Sequence, residues 1–343
     1  MTESTSILIM STLGVGDVLL AQPLFHEIRK ASPYNHLYIL ARSGPPASLA
    51  RRLGVADEVF DYMSGTQHRI RHALEIGRWI RSKRFNATIA TTGMNPLYTA
   101  VMASVSGARV RIGERRGHFH WVWTTAVPVA ERTHVVIRNR NIGRALGVEP
   151  GLIPRLILED QDHERARALL PETDRCVAII PGSNKELAHK RWPISHYRDL
   201  VRALMDHAIH PIVLGGPDEE SLGAEITDGF PSDKISDVVG KTDLGTAAAI
   251  LSFCSLAVGN DCMLLHFAAA VGTRTIALFG PSDPEVYRPM GSNNIVIKTP
   301  LSCAPCYNID TRGCINPRCM TILSPHIVIN RTISMVGGSG GRP

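Results

Sequence analysis

The chain reads as an α/β protein with two doubly wound parallel sheets in tandem, and three observations carry that reading. Short apolar runs alternate with amphipathic stretches along nearly the whole length, the pattern of a parallel sheet. The alternation restarts after a proline-bearing segment at about 147–175. A length of 343 residues exceeds one ordinary core but suits two of about 150 residues each. The expected division is one domain over 1–160, a second over 161–330 and a flexible tail over 331–343, with the two sheets facing a central cleft.

The elements follow in order. An apolar strand over 6–10 leads through Gly14 and Gly16 into a helix over 17–30, apolar at Val18, Leu20, Leu24, Phe25 and Ile28. Further strands are expected at 37–41, 58–62, 87–91 and 110–113, with helices at 47–53, 70–81 and 97–106 between them. The linking segment holds a helix over 161–169, and the second set then has strands at 176–180, 211–214, 235–238, 256–258, 275–279 and 295–297. A small-residue helix, HFAAAVG from His266, joins two of these strands.

Composition excludes several classes. Hydrophobic residues are 44% and charged residues 20%, which places the chain among globular proteins. No run of 18 apolar residues occurs, so no membrane-spanning helix is expected. The polar start MTESTS lacks a secretory pattern, which reads as a cytoplasmic protein. The net charge of +6 is uneven: one basic segment runs from His68 through Arg69 to Arg84, and a second cluster holds Arg109, Arg111, Arg115 and Arg116. Such clusters attract phosphate groups, or form an ordinary solvated face. They come with no nucleic-acid-binding signature, and membrane contact is expected to be peripheral at most.

In an open α/β sheet ligands bind at the carboxyl ends of the strands, so the chemistry is sought there. The stretch VAIIPGSNKELAHKRWP sends a strand into Pro181-Gly182-Ser183-Asn184 and a basic loop with Lys185, Lys190 and Arg191. A glycine and hydroxyl turn beside a lysine suits a diphosphate, although an ordinary strand-to-helix turn has the same outline. In VLGGPDEE, Asp218, with Glu219 in reserve, is placed to accept from a ribose diol; a surface acidic helix start reads equally well. Asn260-Asp261 and His266 lie after one strand, and GPSDP (280–284) after the next. Alone, Asp261 reads as a helix cap and His266 as a core residue; together with GPSDP they point to a site. The turn Gly14-Val15-Gly16-Asp17 suits an acceptor hydroxyl or sugar better than a phosphate, because Asp17 would repel an anion.

Taken together, LGVGDVLLAQPL, IIPGSNKELAHKRWP, VLGGPDE, GND…HFAAAVGT…ALFGPSDP and CAPC…CM resemble the ADP-heptose glycosyltransferases, the heptosyltransferases of glycosyltransferase family 9. The resemblance covers about residues 6–330. It implies an inverting enzyme of the GT-B fold, with two Rossmann-like domains and a final helix after Pro325 returning to the first. It also implies roles. Asp17 matches the base that activates the acceptor hydroxyl; Ser183, Asn184 and Lys190 match the diphosphate cradle; and Asp218 matches the ribose contact. Lys241 opens the segment where adenine would rest. Asp261 matches the carboxylate holding the donor sugar, and His266 belongs to the same loop and helix. Gly14, Gly16, Arg69 and Arg116 would meet the acceptor, which is a phosphorylated glycolipid, a protein or a small molecule. Cys262-Met263 departs from the family's usual Ser/Thr-Gly. Two other readings stand beside this one: a non-catalytic sugar-nucleotide-binding protein, and a UDP-sugar epimerase-like enzyme.

No catalytic metal is expected, since Lys190 and helix N-termini supply the positive charge. Cys303, Cys306, Cys314 and Cys319, spaced C-x2-C-x7-C-x4-C, are candidates for a structural zinc or iron site; the plainer reading is free thiols under a surface loop.

Overall fold

A computed structural model describes residues 5–31, 35–62, 69–130, 132–173, 175–183, 185–306, 314 and 316–337. The first unit, Met1–Arg155, runs β1 (Ser6–Ser11), α1 (Val15–Ala31), β2 (His36–Arg42), α2 (Pro45–Arg52), β3 (Glu58–Tyr62), α3 (Arg69–Ser82), β4 (Ala87–Ala90), α4 (Pro96–Ser106), β5 (Val110–Glu114), β6 (Thr125–Val127) and α5 (Val135–Ala145). Its strands are all parallel, in the order β3-β2-β1-β4-β5-β6. β1 sits centrally because five of its six residues are buried, which only a strand covered on both faces needs. Beneath α3, Trp79 stacks on Phe60 at 4.4 Å and donates from Nε1 to Glu58 at 2.8 Å, fixing the helix on the sheet edge. β6 and α5 escape the sequence reading. β6 is three residues long, too short for an alternation signal, and the apolar stripe of α5 is interrupted by Arg138, Arg140 and Arg144.

The second unit, Leu156–Pro343, runs α6 (Asp160–Arg167), β7 (Cys176–Ile180), α7 (Ile194–Asp206), β8 (His210–Val213), α8 (Glu220–Thr227), β9 (Ser236–Asp237), α9 (Leu244–Phe253), β10 (Leu256–Asn260), α10 (Met263–Ala270), β11 (Thr275–Phe279), α11 (Pro284–Tyr287), β12 (Asn294–Lys298), α12 (Arg318–Thr321) and α13 (Pro325–Gly337). Its six parallel strands are ordered β12-β11-β10-β7-β8-β9. Read from the other edge, this repeats the topology of the first unit.

Three boundaries differ from expectation. The division falls at Arg155/Leu156, ahead of residue 160. α10 starts at Met263 and not at His266, because Leu264 and Leu265 are buried along with His266 and Phe267 and extend the apolar face backward. The tail expected from 331 is helical to Gly337. α13 buries Val328 and Thr332, and Val328 joins the core formed by Tyr197, Leu200 and Leu204 of α7. Burying each such aliphatic side chain contributes about 1.5–3 kcal/mol, enough to hold a terminal helix in place.

Candidate functional site

In each unit the strand order reverses beside the first strand, and a crevice for ligands forms at the carboxyl ends there. In the second unit the reversal lies between β7 and β10. Gly259 pairs with Ile180 in register, and any Cβ at Gly259 would collide with the Ile180 carbonyl, so the two strands close tightly. The fully buried Asn260 then staples the crevice. Its Oδ1 accepts from Trp192 N at 2.9 Å and from the Tyr197 hydroxyl at 3.0 Å, and its Nδ2 donates to the Pro181 carbonyl at 2.7 Å. Trp192, itself buried, donates from Nε1 to the Leu323 carbonyl at 2.9 Å. Asn260 is therefore a scaffold residue that fixes the neighbouring Asp261.

Lys190 Nζ lies 2.9 Å from Asp261 Oδ2, and the two side chains are 14% and 9% exposed. The two residues assigned separately to the diphosphate and to the sugar thus form one nearly buried ion pair. Removing either partner would strand a charge away from water. Arg191 braces the Pro-Gly-Ser turn, with Nη2 donating to the Ser183 carbonyl at 2.8 Å and Nε to its hydroxyl at 3.3 Å. Ser183 Oγ donates in turn to the Leu187 carbonyl at 3.1 Å. Asn184 lies outside the described residues, and Lys185 is exposed.

At the neighbouring strand end the exposed carboxylate is Asp218, while Glu219 folds inward. Glu219 accepts from Gly216 N at 2.9 Å, and a Cβ at Gly182 would collide with its carboxylate. The glycine therefore exists to admit Glu219. Burial raises the Glu219 carboxyl above its ordinary value, opposed by the N–H groups of Gly216 and Ser183 and by the Arg191 charge. Lys241 is exposed and donates to the Asp237 carbonyl at 2.7 Å, and Gly240 N donates to the Gly215 carbonyl at 3.1 Å, so this segment closes over the end of β8. Cys262 occupies the N-cap of α10; burial pushes its thiol up to about 12, with the charges of Glu219 and Asp261 adding. Met263 is the first residue of an ordinary helix, so its Cβ meets no conformational strain there. His266 is buried on the same helix.

In the first unit the reversal lies between β1 and β4. Asp17 occupies the first turn of α1, and its Oδ2 accepts from Gly14 N at 3.0 Å. Gly16 is helical, within that same turn. A network that the sequence did not reveal lies across the crevice. The buried Glu114 accepts from the Thr92 hydroxyl and from Gly93 N at 3.1 Å, and pairs with Arg116 Nε at 2.9 Å; Thr92 N donates to Asn139 Oδ1 at 3.0 Å. A small cavity beside it is lined by Thr91, Met94, Glu114, Arg116, Phe119 and Trp123. The expected arginine cluster divides: Arg111 turns to the Val122 and Ala108 carbonyls, Arg116 pairs with Glu114, and Arg109 and Arg115 stay exposed. Arg69 starts α3, on which Arg78 and Arg81 are exposed.

Among the described residues, no group of three or more His, Cys, Asp or Glu is placed to hold a metal ion. Cys319 is buried against Gly280 of the β11 end, while Cys303 and Cys314 are exposed. Burial raises the Cys319 thiol to about 11, and the neighbouring thiols add. Among the described residues no helix is long and apolar enough to cross a membrane.

Two parallel six-stranded α/β units, each with polar groups at its switch point, define the GT-B class of fold, on which sugar-transfer enzymes are built. Residues 73–314, well over half of the chain, match the model of glycosyltransferase family 9 (heptosyltransferase), and the chain belongs to that family and is a glycosyltransferase. The lipooligosaccharide heptosyltransferase 2 of Haemophilus influenzae is 24% identical over 311 residues, covering 85% of this chain and 88% of its own. The structure of Escherichia coli ADP-heptose LPS heptosyltransferase II superposes with a TM-score of 0.78 at 20% identity, over 97% of this chain and 98% of that one. E. coli heptosyltransferase WaaC with ADP gives 0.72 at 20% identity, over 96% and 100%.

Proposed function

We propose that this enzyme transfers a heptose, or a closely related sugar, from an ADP-activated donor to an acceptor hydroxyl with inversion at the anomeric carbon. The observation that carries the reading is the Lys190–Asp261 pair at the switch point of the second unit, flanked by Arg191 and Glu219. Its supports beyond the geometry are the family match and the ADP held by one structural neighbour. In this reading the diphosphate draws Lys190 partly away from Asp261, with the Ser183-Asn184 turn completing the cradle. Asp261, with His266 on the helix behind it, then takes hydroxyls of the donor sugar. Glu219, half-buried at the glycine pair where Asp218 is exposed, accepts from the ribose diol. Lys241 borders the adenine.

The chemical step balances with these side chains alone. The acceptor oxygen forms a bond to the anomeric carbon on the face opposite the diphosphate. Its proton passes to Asp17, the bond from the anomeric carbon to the diphosphate oxygen breaks, and the electron pair leaves on ADP. Lys190 stabilises that charge as it develops. Because the curated relatives are lipopolysaccharide and lipooligosaccharide heptosyltransferases, a phosphorylated glycolipid is the acceptor proposed first, approaching Gly14, Gly16 and Arg116. Zinc or iron bound by Cys303, Cys306, Cys314 and Cys319 would brace the β11 end and take no part in the step.

The test is release of ADP from ADP-heptose with and without phosphorylated core glycolipid. Release that depends on acceptor, with an inverted anomeric signal in the product by NMR, supports the proposal. Tight ADP binding without turnover under any condition overturns it in favour of a binding protein, and acceptor-independent conversion of a UDP-sugar overturns it in favour of an epimerase.

A further inference from the structure

One face of the first unit has a surface that transfer chemistry does not explain. α4, PLYTAVMASVS, contains no charged residue, yet Leu97 and Val101 on successive turns are 54% and 46% exposed. A 3-10 segment, Gly117–Val122, lies against the start of this helix, where a Cβ at Gly117 would sit 3.7 Å from Pro96. Within and just after that segment the side chains divide. Phe119 and Trp123 line the cavity beside Thr99, whereas Trp121 stands out at 73% exposure with His118 and His120 exposed around it. A tryptophan is rarely left so open, because its large ring favours burial.

The charge framing this apolar ridge is nearly all of one sign. Residues 107–130 hold Arg109, Arg111, Arg115 and Arg116 against a single acid, Glu114, which is buried and paired. α3 packs beside α4, with Gly77 against Val105, and adds exposed Arg78 and Arg81 against one acid, Glu75. An uncharged ridge tipped by an indole and rimmed by guanidinium groups matches the boundary of an anionic bilayer, where apolar rings enter the headgroup layer and cations meet phosphates.

We propose that this face docks the enzyme on an anionic lipid surface. Trp121, Leu97 and Val101 enter the interface, and Arg115, Arg78 and Arg81 contact lipid phosphates. A second copy of the chain is a poorer occupant, since pairing this face with itself would set the arginine rims against each other. Arg115 directly follows β5, so the docked face adjoins the carboxyl edge where the acceptor is proposed to bind. Lipid docking needs no catalysis and is measured without it.

The experiment is co-sedimentation of the intact protein with vesicles of phosphatidylglycerol and phosphatidylethanolamine, against vesicles of phosphatidylcholine, combined with quenching of tryptophan fluorescence by brominated lipid. We expect binding to the anionic vesicles, weakened by salt, with brominated-lipid quenching that Trp121→Ala removes. The Trp121→Ala and Arg115→Glu variants lower vesicle affinity on the order of tenfold, while thermal transition and ADP binding stay at the wild-type values. Val101→Ser gives a smaller loss in the same direction. Equal binding to both vesicle types overturns the proposal, as does an affinity unchanged in Trp121→Ala. A variant that lowers the mass measured by light scattering and leaves vesicle binding intact also overturns it, and assigns the face to a second copy.

Discussion

The two units share one strand topology, but their switch points carry different chemistry. In the first unit the turn after β1 presents a carboxylate, Asp17, held by the Gly14 amide, and a neutralised pair, Glu114 with Arg116. In the second unit the corresponding turn after β7 is braced by Arg191 and leads to Lys190, whose partner Asp261 comes from the other strand of the crevice. On the proposed reading, one scaffold serves as a proton acceptor in one copy and as an anion site in the other. Fold supplies the crevice, and the few residues at the strand ends decide what enters it.

The sharpest break in this comparison comes from the first unit. Asp17→Ala is expected to lower kcat by roughly 10²–10⁴-fold, with donor affinity nearly unchanged in a titration with ADP-heptose. A rate within a few-fold of wild type would remove Asp17 from the mechanism. In the second unit, Lys190→Ala is expected to weaken ADP binding and to destabilise the fold by about 3–5 kcal/mol, because Asp261 is left buried without its partner. The double variant Lys190→Met with Asp261→Leu separates the two effects: chemical denaturation should recover most of the stability, while calorimetry still finds weak ADP binding. Recovery of ADP affinity in the double variant would rule out a role for Lys190 at the diphosphate.

Glu219 gives a subtler test through pH. Its carboxyl is raised by burial, so its contribution to folding stability is complete below the unfolded value of 4.5 and is lost as pH rises through the folded value. The proposed ribose contact needs the ionised form, so ADP affinity should climb over that same interval. Glu219→Gln is expected to flatten the climb and to weaken ADP binding by about tenfold. An unaltered pH profile would return the ribose to Asp218. The smallest effect belongs to Asp218→Asn, within about twofold of wild type in ADP affinity, because an exposed carboxylate loses little on substitution.

Much of this molecule was legible in the chain. Apolar runs such as CVAII and TIALF have no reason to be continuous unless both faces are covered, so the parallel sheets and most strand positions follow from pattern alone. The turns rich in glycine, hydroxyl and charge located both switch points. Pairing was not legible. Nothing in local sequence tells that Lys190 meets Asp261 across 71 positions, or that Glu114 gathers Thr92, Gly93 and Arg116. Nor does it tell that Glu219 and not Asp218 fills the space kept open by Gly182. The cysteine spacing was legible as well, but that Cys319 is buried against Gly280 while Cys303 and Cys314 stay exposed was not. Periodicity reports which face of an element is dry, because burial acts on each residue separately. Ion pairs and hydrogen-bond networks depend on which strand ends the topology brings side by side, and that is decided only when the sheet closes.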